Sequence, residues 1–269
     1  MKTDRYLVKP GNKVDLAKMS THGRDHSDIT KDAALAELAL LTARLTSLQE
    51  LLYAEGTRRV LVVLQATDTG GKDGVVRGVF GPLNPQGVWV TSFKAPTEIE
   101  LAHDYLWRAH SRVPADGELV IFNRSHYEDV LIALVQNLVP EKRWRKRYRH
   151  IRDFEAMLVD EGTTIIKVFL HISKDEQKAR LQARLDEPTK HWKFNAGDLV
   201  EREKWDEYQS AYEDALAETS APHAPWYVIP SDRKWFRNLV IAHIMVDLLE
   251  SLGMAYPSDP EGLEGYTVT

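Results

Sequence analysis

Cysteine is absent from the 269-residue chain, which excludes disulfides, thiolate zinc sites and cysteine nucleophiles together and is compatible with a reducing compartment. Long apolar runs are missing as well. Nowhere do about 18 apolar residues follow one another, and the opening MKTDRYLVKPGNKVDLAK has no apolar core of a secretory leader. The expectation is a cytoplasmic protein with no membrane partner. An excess of basic charge is lacking too: 35 Lys and Arg stand against 40 Asp and Glu, a formal charge of −5, so no overall nucleic-acid footprint exists and any anion-binding surface must be local. His103, His110, His126, His150, His171, His191 and His223 form no close pair with the helical spacing of a metal site and no G-x-S-x-G elbow occurs, so neither zinc nor a serine triad is assigned. What is present is ordinary for a globular protein. Hydrophobic residues make up 43% and charged residues 28%, enough apolar material for one large core.

Residues 1–28 are polar with scattered apolar positions (Tyr6, Leu7, Val8) and read as an extended arm over the domain, whereas residues 257–269, rich in Pro, Gly and acid, read as a loose tail. Between them, 29–256 read as a single domain. Leucines at helical spacing from Lys31 to Ala54, closed by Gly56, predict a long helix. Apolar runs then alternate with amphipathic ones. Strands are expected at Arg59–Gln65, Val88–Phe93, Glu118–Phe122, Thr163–His171 and Trp226–Ile229. Helices are expected at Gly71–Phe80, Thr97–Val113, Lys142–Glu161, Lys174–Leu185, Leu199–Glu218 and Trp235–Leu252. Runs as apolar as VLVVL and TTIIKVFLHI, separated by helices, predict an α/β fold with a mostly parallel five-stranded sheet covered on both faces.

Four segments carry chemistry. The first, Leu64-Gln65-Ala66-Thr67-Asp68-Thr69-Gly70-Gly71-Lys72-Asp73-Gly74, follows a strand and opens a helix. Its glycines let backbone amides approach an anion, and Lys72 adds a mobile cation. Against G-x-x-x-x-G-K-[ST] the match is partial, since Ala66 replaces the first glycine and Asp73 the magnesium-holding hydroxyl, so a plain strand-to-helix turn competes with a phosphate loop. The second, Phe122-Asn123-Arg124-Ser125-His126-Tyr127-Glu128-Asp129, follows the third strand and would share a crevice with Asp68 beyond the sheet's carboxyl end. Asp68 and Asp129 together with substrate phosphates suit magnesium; the plainer reading of Glu128 and Asp129 is a charged first helical turn. Arg124 is either a phosphate fork or a surface ion pair. The third, Lys174–Leu185, sets Gln177, Arg180 and Arg184 along one face and leads into the irregular DEPTKHWKFNAG; over about 174–205 this has the look of a helical lid over phosphates, or of a solvated arginine face. In the fourth, Glu141–His150 holds six Lys or Arg in ten residues, but Trp144, Tyr148, Ile151, Phe154 and Leu158 recur at core spacing. Arg77 and Lys94 would extend a positive track for a polyanion.

The pairing of ATDTGGKDG with FNRSHYEDV, followed by HISKDEQKARLQARL, DEPTKHWKF and HAPWYVIPSDRKWFRN, resembles the polyphosphate kinase 2 family from about Lys31 to Met254. The resemblance implies a thymidylate-kinase-like P-loop kinase fold and magnesium-dependent transfer of a terminal phosphoryl group between inorganic polyphosphate and a nucleotide. It also implies a homo-oligomer, dimer or tetramer. Carried over, Thr69, Gly70, Gly71, Lys72, Asp73 and Gly74 form the Walker A loop with Asp68; Asp129 is the Walker B-type acid sharing Mg2+ with Asp68; Arg124 clamps phosphate; Arg180 and Arg184 are lid arginines. FNRSHYED looks most like the single-domain branch that acts on both AMP and ADP, making ADP and ATP. Asn123, Tyr127 and Glu128 then fall at the nucleotide, Glu128 being placed to accept from an adenine amino group. Two other readings stand beside it: an ATP-dependent nucleoside monophosphate kinase, and a non-catalytic polyanion- or RNA-binding module.

Overall fold

The computed structural model describes residues 1–259 and 265–268. The expected tail at 257–269 therefore lies partly outside the described residues, at 260–264 and 269. In chain order the elements are α1 (Lys31–Glu55), β1 (Arg59–Gln65), α2 (Lys72–Val75, continuing as a π-helical turn over Val76–Phe80), β2 (Val88–Ser92), α3 (Glu98–Leu101), α4 (Trp107–His110), β3 (Leu119–Asn123), α5 (Glu128–Val135), α6 (Glu141–Asp160), β4 (Thr163–His171), α7 (Lys174–Asp186), α8 (Gly197–Glu203), α9 (Trp205–Thr219), β5 (Trp226–Pro230) and α10 (Lys234–Ser251).

All five strands are parallel, in the order β2-β3-β1-β4-β5. Alternation along the central strand divides the core into two layers. Leu61 and Val63 point to one face, where α5, α6 and α9 supply Val130, Ile151, Phe154 and Leu216; Val60, Val62 and Leu64 point to the other, against Leu45, Leu52, Val240 and Met245 of α1 and α10. Both faces being covered, β1 has no polar side chain between Arg59 at its start and Gln65 at its end. Each fully buried aliphatic in these layers contributes about 1.5–3 kcal/mol. The chain leaves β1 with β3 on one side and β4 on the other, so the crevice of an open α/β sheet falls at the carboxyl ends of these strands.

Local chemistry sets the element ends. Thr30 caps α1 by accepting from the Ala33 amide, and Gly56, at φ 65°, closes it. Two helices expected as continuous are broken. Thr97–Val113 splits because the Asp104 carboxylate accepts from the Leu106 amide and starts a separate turn, and Leu199–Glu218 splits at Lys204. Helix α5 was absent from the expected helices; its acids are the first turn that the plainer reading of Glu128 and Asp129 described. The aromatic stripe of α6 is buried as its spacing indicated. The N-terminal segment is tightly packed: Tyr6, Val8, Val14 and Leu16 are buried, and the Val8 amide donates to the Trp226 carbonyl beside β5. Among the described residues no helix is long and apolar enough to cross a membrane.

Candidate active site

The loop after β1 needs its glycines for space. A Cβ on Gly70 would lie 2.4 Å from the Ala66 Cβ, and one on Gly71, at φ 106°, would lie 2.1 Å from the Arg237 guanidinium. Thr69 takes a left-handed φ of 60°, and its hydroxyl, like that of Thr67, is buried without a protein partner. Lys72 folds back so that Nζ donates to the Ala66 carbonyl at 2.9 Å. Burial, and then the Arg124 charge, push its pKa down, while Glu128, Asp68 and Asp73 oppose the shift. Replacing Gly71 by Ala is expected to lower turnover about tenfold and melting by a few degrees, because strain at such a φ costs about 1–3 kcal/mol. Unchanged kinetics and melting would show that the loop tolerates a side chain there.

The second wall comes from the turn after β3. Gln65 Nε2 donates to Ser125 Oγ at 3.0 Å, and Ser125 Oγ accepts from the Tyr127 amide, so the ends of β1 and β3 are tied together. This holds Arg124 at φ 63°, its own amide bonded to the Leu64 carbonyl. Its guanidinium donates to Asp68 Oδ1 at 3.0 Å. Burial disfavours the charge of Arg124, but Glu128 and Asp68 outweigh it and raise its pKa; burial raises that of Glu128 against the pull of Arg124 and Lys72.

Asp68, Arg124 and Glu128 open into a cavity of about 510 Å³. Its opposite wall is α8 and α9, which present Asp198, Glu201, Trp205, Tyr208 and Tyr212. These residues were not singled out in the sequence, where the 205, 208 and 212 spacing reads simply as an apolar helical stripe. An aromatic wall facing an arginine and carboxylates suits a flat base joined to phosphates. Burial and the nearby Asp68 charge raise the pKa of Asp198, which receives Arg184 at 2.8 Å.

The other expected residues fall in different places. Asn123 donates to Asp73 at 2.8 Å, Gly74 packs on Arg237, and Arg77 and Lys94 are exposed outside the cavity lining. Arg180 does not reach free into a lid space. Its guanidinium donates to the carbonyls of Thr69 and Gly70, both at 3.0 Å, and of Ser231 at 2.6 Å, so it braces the phosphate loop. Arg184 is occupied by the Lys193 carbonyl and Asp198 within the 174–205 segment. Tyr127 is corrected outright. It has no exposed surface, and its hydroxyl donates to Glu155 and accepts from Lys167, so it belongs to the core and cannot touch a nucleotide.

Behind the loop sits a cluster of cations that sequence reading did not isolate. Arg237, nearly fully buried, bonds the Asn238 amide oxygen and no other acceptor among the described residues, and burial followed by Arg180 lowers its pKa to about 10. Lys234 is likewise pushed down by burial and by Arg180. Cations crowded this closely favour a polyanion.

For a divalent cation the donor set is oxygen only. No cluster of three or more His, Asp or Glu residues forms a ready cage among the described residues. Asp68 is partly exposed at the cavity; Asp129 lies outside its lining, with Arg108 and Arg147 nitrogens 3.5 and 3.7 Å from its carboxylate. Burial raises the pKa of Asp129, against those two arginines. One or two carboxylates completed by substrate phosphates is how a hard divalent cation is commonly held, and Asp68 at the cavity is a carboxylate of that kind.

A parallel sheet with a lysine-bearing phosphate loop after its central strand defines a P-loop kinase-like phosphotransferase. The family model of polyphosphate kinase 2 (PPK2) matches residues 28–256, and the chain belongs to that family. It is 60% identical over 253 residues to the AMP/ADP-polyphosphate phosphotransferase of Meiothermus ruber, covering 94% of this chain and 95% of the relative. It is 45% identical to the ADP-polyphosphate phosphotransferase of Rhodopseudomonas palustris, covering 96% and 93%. The crystal structure of polyphosphate kinase 2 from Arthrobacter aurescens TC1 superposes with a TM-score of 0.94 at 44% identity, over 97% of this chain and 93% of that one.

Proposed function

We propose that this protein transfers a terminal phosphoryl group between inorganic polyphosphate and adenine nucleotides, converting AMP to ADP and ADP to ATP. The observation that carries the reading is the meeting of Asp68, Arg124 and Glu128 at the junction of the phosphate loop and the aromatic cavity, with the cation cluster behind that loop. The nucleotide base lies against Tyr208, Tyr212 and Trp205 of the cavity. The polyphosphate runs toward Lys72, Lys234 and Arg237. Phosphoryl transfer asks for positioning and stabilisation of spread negative charge, which Arg124 and Lys72 supply from fixed places.

Asp68 and Asp129 would hold Mg2+, which when bound neutralises phosphate oxygens and orients them. Arg108 and Arg147 oppose the burial that raises the pKa of Asp129. Arg180 acts by holding the Thr69 and Gly70 carbonyls, and the segment 174–205 closes on the cavity as a lid through Arg184 and Asp198. We extend the reading to a homo-oligomer, dimer or tetramer, which the exposed Trp89 and Val90 on the edge strand β2 favour; light scattering in solution checks it.

The test is an end-point assay with magnesium, long-chain polyphosphate and either AMP or ADP, with no ATP added, resolving the nucleotides by chromatography. ADP from AMP and ATP from ADP are expected. If neither forms while ATP plus AMP yields ADP, the donor is ATP and the protein is a nucleoside monophosphate kinase. If no condition gives turnover, the site is a polyanion-binding one.

A further inference from the structure

Residues 1–27 precede the segment matched by the family model, yet they end on the phosphate loop's support. Leu16 anchors the arm: its amide donates to Glu213 at 2.7 Å and its carbonyl meets His171 Nε2 at 3.0 Å at the end of β4. Glu213 adjoins the cavity residue Tyr212 in α9. The chain then turns at Gly23, φ 69°, where a Cβ would collide with the Phe236 ring at 2.3 Å, so the arm lies flat on the start of α10.

From that seat it grips the loop between β5 and α10. Thr21 Oγ1 donates to Asp232 Oδ2 at 2.7 Å, the Asp232 amide donates to the Thr21 carbonyl at 3.0 Å, and Arg233 Nε donates to the His22 carbonyl at 2.8 Å. Asp232 is the node. Its other oxygen, Oδ1, accepts from the Ser173 amide at 2.8 Å, and Ser173 caps α7 by accepting from the Glu176 amide. Glu176 in turn receives Arg180 Nε at 2.7 Å. The carbonyls of Ser231 and Asp232 accept from Arg180 NH2 at 2.6 and 3.3 Å, while NH1 holds Thr69 and Gly70. One guanidinium thus joins the loop gripped by the arm to the loop that would carry phosphate, and Asp232 fixes that guanidinium from two directions.

We infer that Thr21, in the N-terminal arm, is a positioning residue that sets Arg180, and through it the phosphate loop, by holding Asp232. The inference rests on the proposed phosphoryl transfer for its kinetic consequence, though the mechanical link does not. Without the Thr21 hydroxyl, Asp232 Oδ2 loses its donor while the backbone bonds from Asp232 and Arg233 to the arm remain; the 231–233 loop loosens, the Arg180 guanidinium bonded to its carbonyls shifts with it, and the donor to the Thr69 and Gly70 carbonyls is displaced. A displacement of the loop by an ångström is enough to cost one to two orders of magnitude in a positioned transfer.

Thr21→Val keeps the side-chain shape and deletes one hydroxyl. It is expected to lower kcat for polyphosphate-driven ATP formation about tenfold, leaving KM for ADP within about twofold, because the cavity walls are untouched. Thr21→Ser restores the hydroxyl and should return kcat to the wild-type value. Val14→Ala loosens the arm's apolar anchor without touching Asp232; it should lower melting at least as much as Thr21→Val and keep kcat. Amide exchange over 66–75 supplies the second readout, expected to quicken several-fold in Thr21→Val and not in Val14→Ala. A kcat unchanged in Thr21→Val, or one that falls equally in Val14→Ala at matched stability, overturns the inference. If the wild type transfers no phosphoryl group, the proposed function fails, and the exchange result alone decides whether Thr21 holds the loop.

Discussion

Turnover of polyphosphate with ADP is expected to fall about a thousandfold or more when Lys72 is replaced by Met, while the melting temperature holds or rises slightly. The side chain is a cation in a largely desolvated place, bonded only to the Ala66 carbonyl and pressed by Arg124, so the fold gains little from its charge. Its value lies in what arrives. A phosphate at the loop offers Nζ a stronger acceptor than Ala66, and the acids Glu128, Asp68 and Asp73 oppose the downward shift that burial and Arg124 impose on the ammonium. Methionine matches the length and flexibility of the stem and removes only that donor, which separates catalysis from packing. The measurements are kcat at saturating substrates and a thermal melt on the same preparation. A kcat within tenfold of the wild type would move the role to another cation behind the loop, Lys234 or Arg237.

The sheet was legible because a parallel strand buried on both faces must be apolar throughout, and VLVVL or TTIIKVFLHI permits little else. Strand limits agree with expectation to within a residue or so, and the phosphate loop was legible because its glycines are demanded by backbone clashes that any observer of the motif can anticipate. The far wall of the cavity was not. Trp205, Tyr208 and Tyr212 are spaced like core residues, and only the packing of α9 against α5 turns part of that stripe toward a cavity. Arginine roles were equally hidden, since sequence gives a charge and not its partner. Arg180 and Arg184, read as reaching for phosphate, are engaged by carbonyls and Asp198, whereas Arg108 and Arg237 had no role assigned and Arg147 was counted only among the cations of the 141–150 segment, yet they stand against Asp129 and the loop. Tyr127 failed for a related reason: its motif neighbours face the cavity, but a helix start turns successive side chains in different directions, and this one points into the core.

Lys167 lies in the middle of β4 with no exposed surface, and replacing it by Met is expected to destabilise the protein by about 3–5 kcal/mol, on the order of 10 °C in melting. Its Nζ donates to Glu155 at 2.5 Å, to the Tyr127 hydroxyl at 3.0 Å and to the Thr219 carbonyl at 2.8 Å, and Tyr127 donates to the second Glu155 oxygen at 2.8 Å. Burial alone would raise the pKa of Glu155; the Lys167 charge and hydrogen bond, with the His126 ring nearby, outweigh it and hold the carboxyl below its usual range. That contribution is present above the ordinary glutamate range and is lost as pH falls through the lowered folded value. In Lys167→Met the carboxylate is stranded without its cation, its pKa rises, and acidification lets it take up a proton. The stability gap to the wild type should therefore be widest at neutral pH and narrow on acidification, as the stranded carboxyl takes up its proton. Glu155→Gln strands the cation instead, so its gap should narrow as pH rises. Combining Lys167→Met with Glu155→Leu removes both charges and should be less damaging than either single change, as replacing a whole buried pair commonly is. Denaturant melts of the four proteins at three pH values decide it. Parallel pH profiles for the two single variants would mean that the pair is not ionised in the core. The consequence reaches the site, because Tyr127 immediately precedes Glu128 at the start of α5: in Lys167→Met the hydroxyl keeps Glu155 but loses its donor, the anchor of the turn that presents Arg124 and Glu128 to the cavity weakens, and activity should fall before the fold does.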